Sequence, residues 1–134
     1  MASIFTKIIH REIPAYIVAE SDSCIAFLDI FPLAEGHTLV VPKVETDLIF
    51  DLTPNQLTEL SLFAQKVGKA IHKVFPYKRP AIAVIGLEVP HAHIHIVPIN
   101  FASELSFSNE KLKLSQERLT EIAESIQKEY LKLT

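Results

Sequence analysis

The chain has 134 residues, 49% of them hydrophobic, and a formal net charge of −3 at pH 7. That length and composition predict one folded domain over residues 1–134 and exclude disorder, while the negative charge argues against binding of nucleic-acid polymers. No 18-residue apolar run or signal peptide is visible, and the one cysteine, Cys24, cannot form an intrachain disulfide. We therefore expect a cytoplasmic protein without membrane contact.

The first half of the chain predicts a short helical turn followed by three strands. Apolar residues share one side of a turn over residues 3–9, and Pro14 separates this turn from the next element. Strands are predicted at residues 16–19, 24–29 and 38–41. Pro32 and Gly36 mark the loop between the second and third strands.

A long helix is predicted in the middle of the chain. Thr53 suits the N-cap, Pro54 the first helical position and Gln56 the capping box, and apolar residues recur at helical spacing to about residue 75. A fourth strand is predicted at residues 80–85. An apolar stripe predicts a C-terminal helix through Leu119, Ile122, Ala123 and Ile126.

Three histidines alternate with apolar residues between Pro90 and Pro98. Side chains of a strand alternate between its two faces, so His91, His93 and His95 would share one face and the apolar residues the other. The β-branched residues of this segment and its bracketing prolines favour a strand over a helix. We expect this strand to pair antiparallel with the fourth.

Such a row of histidines has three interpretations. It could be a polar sheet face that happens to contain histidine. It could bind a metal, but residues i and i+4 of a strand lie roughly 13 Å apart, whereas zinc needs its nitrogens within about 2.1 Å. It could also catalyse reactions at phosphorus, because a neutral imidazole attacks a phosphoryl centre and its neighbours donate hydrogen bonds to the phosphate. We expect neither a metal nor a cofactor.

The histidine run resembles the motif of the histidine-triad (HIT) family, in which three histidines alternate with apolar residues and two apolar residues follow. Residues 4–15 are similar to the opening of that family, and residues 26–32 and 36–43 resemble its central block. The resemblance covers roughly residues 3–98 in the expected order. Because His95 stands where the transferase branch of the superfamily has Gln, the chain resembles the hydrolase branch.

The resemblance implies an α+β fold with an antiparallel sheet of about five strands, one long central helix and a C-terminal helix. It implies that His93 is the nucleophile, flanked by His91 and His95, with one ring nitrogen held by a backbone carbonyl. Asp29 matches the acceptor of ribose hydroxyls, and His37 a fourth histidine near the phosphate. The remaining positions that match the family's substrate pocket are Ile4, Phe5, Ile8, Phe27, Ile30, Gly86 and Val89.

Two positions depart from the family pattern. Glu88 stands where the family has a hydroxyl residue that assists departure of the leaving group, and the loop before it is shortened. Zinc-binding members carry two cysteines where this chain has Ser3 and Thr6, so no zinc site of that type is expected.

The predicted function is hydrolysis of purine nucleotide conjugates, with AMP- or GMP-like nucleotides, at the α-phosphorus through a covalent nucleotidyl-histidine. Glu88 would take part in the catalysis, and the resemblance implies a homodimer joined through the long helix and an edge strand. The alternatives are a nucleotide-binding module with negligible turnover and a dinucleoside polyphosphate hydrolase.

Overall fold

The computed structural model describes residues 2–133. Its three α-helices are α1 (Ile4–Ile9), α2 (Pro54–Val74) and α3 (Gln116–Leu131). Its five strands are β1 (Ile17–Glu20), β2 (Cys24–Leu28), β3 (Thr38–Pro42), β4 (Arg79–Ala83) and β5 (Ile94–Ile99).

The strands form one antiparallel sheet in the order β1-β2-β3-β5-β4. The predicted α+β fold is therefore confirmed, including the antiparallel pairing of β4 with β5. The capping box predicted at the start of α2 is also present, since the Thr53 amide donates to Gln56 Oε1 and the Gln56 amide to Thr53 Oγ1.

The histidine run does not form a strand along its whole length, and this corrects the prediction. β5 begins only at Ile94, so His91 and His93 precede it. The amide of His91 donates to Val89 O at 2.8 Å, and the amide of Ala92 donates to Thr46 O at 2.7 Å. These bonds to nearby loops replace strand pairing at the first two histidines.

Helices cover both faces of the sheet. β2 and β3 are buried along their whole length. One face packs against α2 and α3, and α1 packs on the other face over a second apolar cluster of Phe5, Ile8, Ile25, Phe27, Leu39 and Val41. Burial on both faces explains why these strands are almost continuously apolar.

The loop between β2 and β3 packs against the end of α2. Gly36 has φ 93°, and a Cβ at this position would lie 2.6 Å from the ring of Phe75. A larger residue would meet both a strained backbone and an aromatic ring, so the close approach requires glycine. This contact fixes the loop immediately before His37.

Within residues 2–133, no helix combines the length and the apolar character that crossing a membrane requires.

Candidate active site

A cavity of about 390 Å³ lies on the face of the sheet that carries α1. All five residues predicted to wall a base pocket line it, together with the predicted Gly86 and Val89: the five are Ile4, Phe5, Ile8, Phe27 and Ile30. Its charged or titratable lining groups are Asp29, Glu88, His93, His95 and Lys111. An apolar wall facing a few polar groups is the usual composition of a small-molecule site.

The register of the sheet places one triad histidine on this face. His95 lies opposite Leu39 across β5 and β3, and Leu39 lies opposite Phe27 across β3 and β2. Directly opposite residues point to the same face, so these three side chains form a row under the cavity. The flanking Ile94 and Ile96 point to the other face and belong to the core beneath α2.

His93 has one ring nitrogen held by the backbone. Its Nδ1 lies 2.7 Å from the carbonyl oxygen of His91, and because a carbonyl can only accept, Nδ1 carries the proton. The neutral ring therefore has an unprotonated Nε2. Burial is the main cause that lowers the pKa of His93 below its usual value. The ring edge packs against Phe5, with ring centroids 4.9 Å apart.

His37 and His95 form a hydrogen-bonded pair with a defined direction. The Leu33 amide donates to His37 Nδ1 at 3.0 Å, so the proton of the neutral His37 ring is on Nε2. That nitrogen lies 3.0 Å from His95 Nδ1, which must accept, and His95 then carries its proton on Nε2. Burial lowers the pKa of His37 to about 3 and that of His95 to about 4, so both rings are neutral at pH 7.

His91 does not line the cavity, contrary to the prediction that the three imidazoles share one face. It is buried between α1 and the end of β3, where its Nε2 donates to Pro42 O at 2.7 Å. Its Nδ1 accepts from Ser3 Oγ at 2.7 Å. The contribution of His91 to the site is therefore its backbone carbonyl group, which accepts the hydrogen bond from His93 Nδ1.

Glu45, an exposed residue, extends the hydrogen-bond network of Ser3 and His91. Oε1 of Glu45 lies 2.6 Å from both the amide nitrogen of Ser3 and Oγ1 of Thr6, and both groups donate to it. These bonds lower the pKa of Glu45. The start of α1 is therefore tied both to Glu45 and to His91, and α1 supplies three cavity wall residues.

Two groups of potential metal ligands lie in or beside the site, and the hydrogen bonds of each oppose the binding of a metal ion. Asp29, His37 and His95 bring their ligand atoms within 4.8 Å of one another. A metal on His37 Nε2 would move the ring proton to Nδ1, where the amide hydrogen of Leu33 already points. At the other cluster, Ser3 and Thr6 provide hydroxyl groups in place of thiolates, and the Ser3 hydroxyl proton is directed at His91 Nδ1.

Asp29 lies at the end of β2 inside the cavity. Its Oδ1 accepts from the Phe31 amide at 2.9 Å, and its Oδ2 lies 3.8 Å from His37 Nε2. Burial is the main cause that raises its pKa. Asp29 thus places a carboxyl group in the lining of the cavity.

Glu88 and Gly86 belong to the connection between β4 and β5. Gly86 has φ 74°, and a Cβ there would meet no protein atom within 4 Å. Glycine is therefore required at this position by the backbone conformation, since no neighbouring protein atom crowds it. Glu88 is exposed at the cavity, and its charge acts on His93 to raise that pKa against the effect of burial.

Sequence reasoning missed several lining residues, among them Phe107 and Lys111. Phe107 packs edge-on against His95, with ring centroids 4.6 Å apart. Both lie in a segment without helical or strand periodicity, so nothing in the local pattern indicated that it folds back over the site.

The fold and this site define a member of the HIT family. Residues 10–102 match the HIT domain, which is more than half of the chain, and the chain therefore belongs to that family. A solved Hit-like protein from Bartonella henselae, described as involved in cell-cycle regulation, superposes with a TM-score of 0.81 at 32% identity over 95% of each chain.

Two relatives with similar sequences were also found. An uncharacterized HIT-like protein of Borreliella burgdorferi is 32% identical over 92% of this chain and 94% of its own length. An adenosine 5′-monophosphoramidase of Saccharomyces cerevisiae is 37% identical over 72% of this chain and 62% of its own length. Nucleotide hydrolases are therefore among the relatives of this chain.

Proposed function

We propose that this protein hydrolyses purine nucleoside phosphoramidates and related nucleotide conjugates at the α-phosphorus. The observation that carries the proposal is the hydrogen bond from His93 Nδ1 to His91 O, which leaves the other ring nitrogen unprotonated beside the cavity. The S. cerevisiae relative named as an adenosine 5′-monophosphoramidase supports this substrate class.

In the first step, Nε2 of His93 attacks the α-phosphorus and forms a phosphorus–nitrogen bond. The bond from phosphorus to the leaving group breaks, and the leaving group departs with the bonding electrons. An amine leaving group also takes up a proton, which Glu88, exposed at the cavity, transfers to it from the solvent. The Nε2–H of His95 donates to a phosphate oxygen and stabilises the charge that develops there.

In the second step, water attacks the same phosphorus, its proton passes to the solvent through the Glu88 carboxylate, and the nucleotide is released. The phosphorus–nitrogen bond breaks, and its electron pair returns to Nε2 of His93. Asp29 accepts hydrogen bonds from the ribose hydroxyls, and the apolar wall holds the base. None of these steps needs a metal, so activity should persist in excess chelator.

Turnover of adenosine 5′-phosphoramidate by the purified protein tests the proposal, with AMP and ammonia as the expected products. Glu88→Gln should slow substrates with poor leaving groups most. AMP binding without detectable turnover would overturn the enzymatic proposal and favour a nucleotide-binding module. The observation in favour of that alternative is the carboxylate of Glu88, which would repel an anionic substrate. Adenosine and guanosine conjugates, including dinucleoside polyphosphates, would establish base and leaving-group preference.

A homodimer is also proposed. β4 is an edge strand, and Ile82 on it is 60% exposed, while Leu62 on α2 is 59% exposed. Pairing of these surfaces between two copies would cover both apolar side chains and the free edge. Sedimentation equilibrium should give twice the chain mass. A monomer at micromolar concentration would contradict this proposal without affecting the catalytic one.

A further inference from the structure

A segment after β5 covers one side of the cavity. The Leu112 amide donates to Pro32 O at 2.8 Å, which ties this segment to the loop between β2 and β3. The ring of Phe107 contacts both His95 and His37, at centroid distances of 4.6 and 6.1 Å. The segment is therefore placed against the same loop and histidine pair that define the site.

Lys111 belongs to this segment and is one of the residues that line the cavity. Its Nζ donates to Phe107 O at 2.6 Å and to Asn109 O at 3.1 Å. An ammonium group has three donors, so one remains after these two bonds. Both partners are neutral carbonyl groups, and no carboxylate of residues 2–133 forms an ion pair with Lys111.

The other charged groups of the cavity show why a cation at Lys111 matters for binding an anion. Among the described lining residues, Lys111 is the one with a positive charge at pH 7, while Asp29 and Glu88 are acidic. The two lining histidines are neutral in the buried site, so they offer hydrogen bonds without a full positive charge. The positive charge of Lys111 opposes the burial that raises the pKa of Asp29 and adds to the burial that lowers the pKa of His37, as expected for a cation near both groups.

An anionic nucleotide entering this cavity would be repelled by two carboxylates unless a cation opposed them. We propose that Lys111 binds the phosphate charge of the nucleotide through its remaining N–H, and that the segment of residues 106–112 serves to hold it there. This inference rests on the proposed function, since it assigns the anion-binding residue of the same site. It predicts that the protein distinguishes nucleotides from nucleosides mainly through one side chain.

Binding of AMP and of adenosine, measured by calorimetry on the same protein, separates this role from a purely structural one. Lys111→Met keeps most of the length of the side chain and removes its charge. It should weaken AMP binding by about tenfold or more, the usual loss for a charge-assisted hydrogen bond, and change adenosine binding by less than about twofold. Lys113→Met, which neutralises an exposed lysine immediately after the same segment, is the matched control and should leave both affinities unchanged.

Lys111→Arg adds a second measurement. It keeps the charge, so it should retain most of the preference for AMP over adenosine and most of the salt dependence of AMP binding. Equal weakening of AMP and adenosine in Lys111→Met would show that Lys111 only holds the segment in place, and would overturn the inference. Preserved AMP affinity would overturn it too. AMP binding without turnover contradicts the proposed hydrolysis but not the role of Lys111, whereas a wild-type protein that binds neither ligand contradicts both.

Discussion

His93 is the residue on which the proposed chemistry depends. His93→Ala should reduce turnover by several orders of magnitude while leaving AMP affinity within about tenfold, because ground-state binding comes mainly from the cavity wall, Asp29 and Lys111. Single-turnover and binding experiments on the same preparation would measure both effects.

Acid quenching of the wild-type reaction with a substrate labelled at the α-phosphate gives an independent check. The label should appear on the peptide that contains His93, in an adduct labile to acid and stable to alkali. Label on a different peptide, or normal activity in His93→Ala, would disprove the covalent mechanism.

Asp29 makes a separate prediction, because its role concerns the ribose. Asp29→Asn should weaken AMP binding by about 1–2 kcal/mol, since a charged acceptor of hydroxyl hydrogen bonds becomes a neutral one. Binding of the 2′,3′-dideoxy analogue, which lacks both hydroxyl groups, should change much less. If the substitution weakened both ligands equally, Asp29 would not act through the ribose.

At the scale of elements, helix α1 and His93 are held by the same chain of hydrogen bonds. Glu45 accepts hydrogen bonds from Ser3 and Thr6, Ser3 donates to His91, and the carbonyl of His91 holds His93. Glu45→Ala should therefore both raise KM, because α1 walls the cavity, and lower kcat, because the orientation of His93 loosens.

Glu45→Gln is the conservative comparison, since its amide oxygen still accepts both bonds and should restore most of the activity. Asp47→Ala removes an exposed carboxylate from the same loop and should change neither constant. The ¹⁵N shift of His91 Nδ1, which accepts from Ser3, reports the state of the network directly. Unchanged shifts and kinetics in Glu45→Ala would exclude the coupling.

The elements that sequence predicted well are those specified by local pattern. The capping box of Thr53 and Gln56, and the apolar residues of β2 and β3, determine helix and strand from neighbours alone. The predicted start of β5 was wrong because the Ala92 amide donates to the carbonyl oxygen of Thr46, a residue distant in sequence. The same reason hid Lys111, whose place in the site depends on how its segment folds back over the cavity.

At the scale of the whole molecule, the buried histidines make stability depend on pH. The pKa values of about 3 for His37 and about 4 for His95 lie below the unfolded value of 6.5, so the unfolded chain binds more protons between these limits. The free energy of unfolding is therefore highest above pH 6.5 and falls as the pH is lowered towards 4. Each histidine contributes a slope of about 1.4 kcal/mol per pH unit well inside this window.

Urea unfolding at pH 7.5, 6.0, 5.5 and 5.0 measures this slope, to which His37 and His95 together should contribute close to twice the single-histidine value. His37→Gln should reduce the slope by about the value for one histidine, whatever its effect on stability at pH 7.5. His72→Gln, at an exposed position, should not alter the slope. A wild-type free energy that stays constant across this range would contradict the neutral, buried state of the pair.

The alternation along β5 also links catalysis to correct pairing of the sheet. His95 faces the cavity, while Ile94 and Ile96 face the core under α2. A slip of one residue against β3 would bury an imidazole among aliphatic side chains and turn an isoleucine towards the substrate. A chain paired in the wrong register can therefore be neither stable nor active, so titration of active sites with a labelled substrate would count the correctly folded molecules in any preparation.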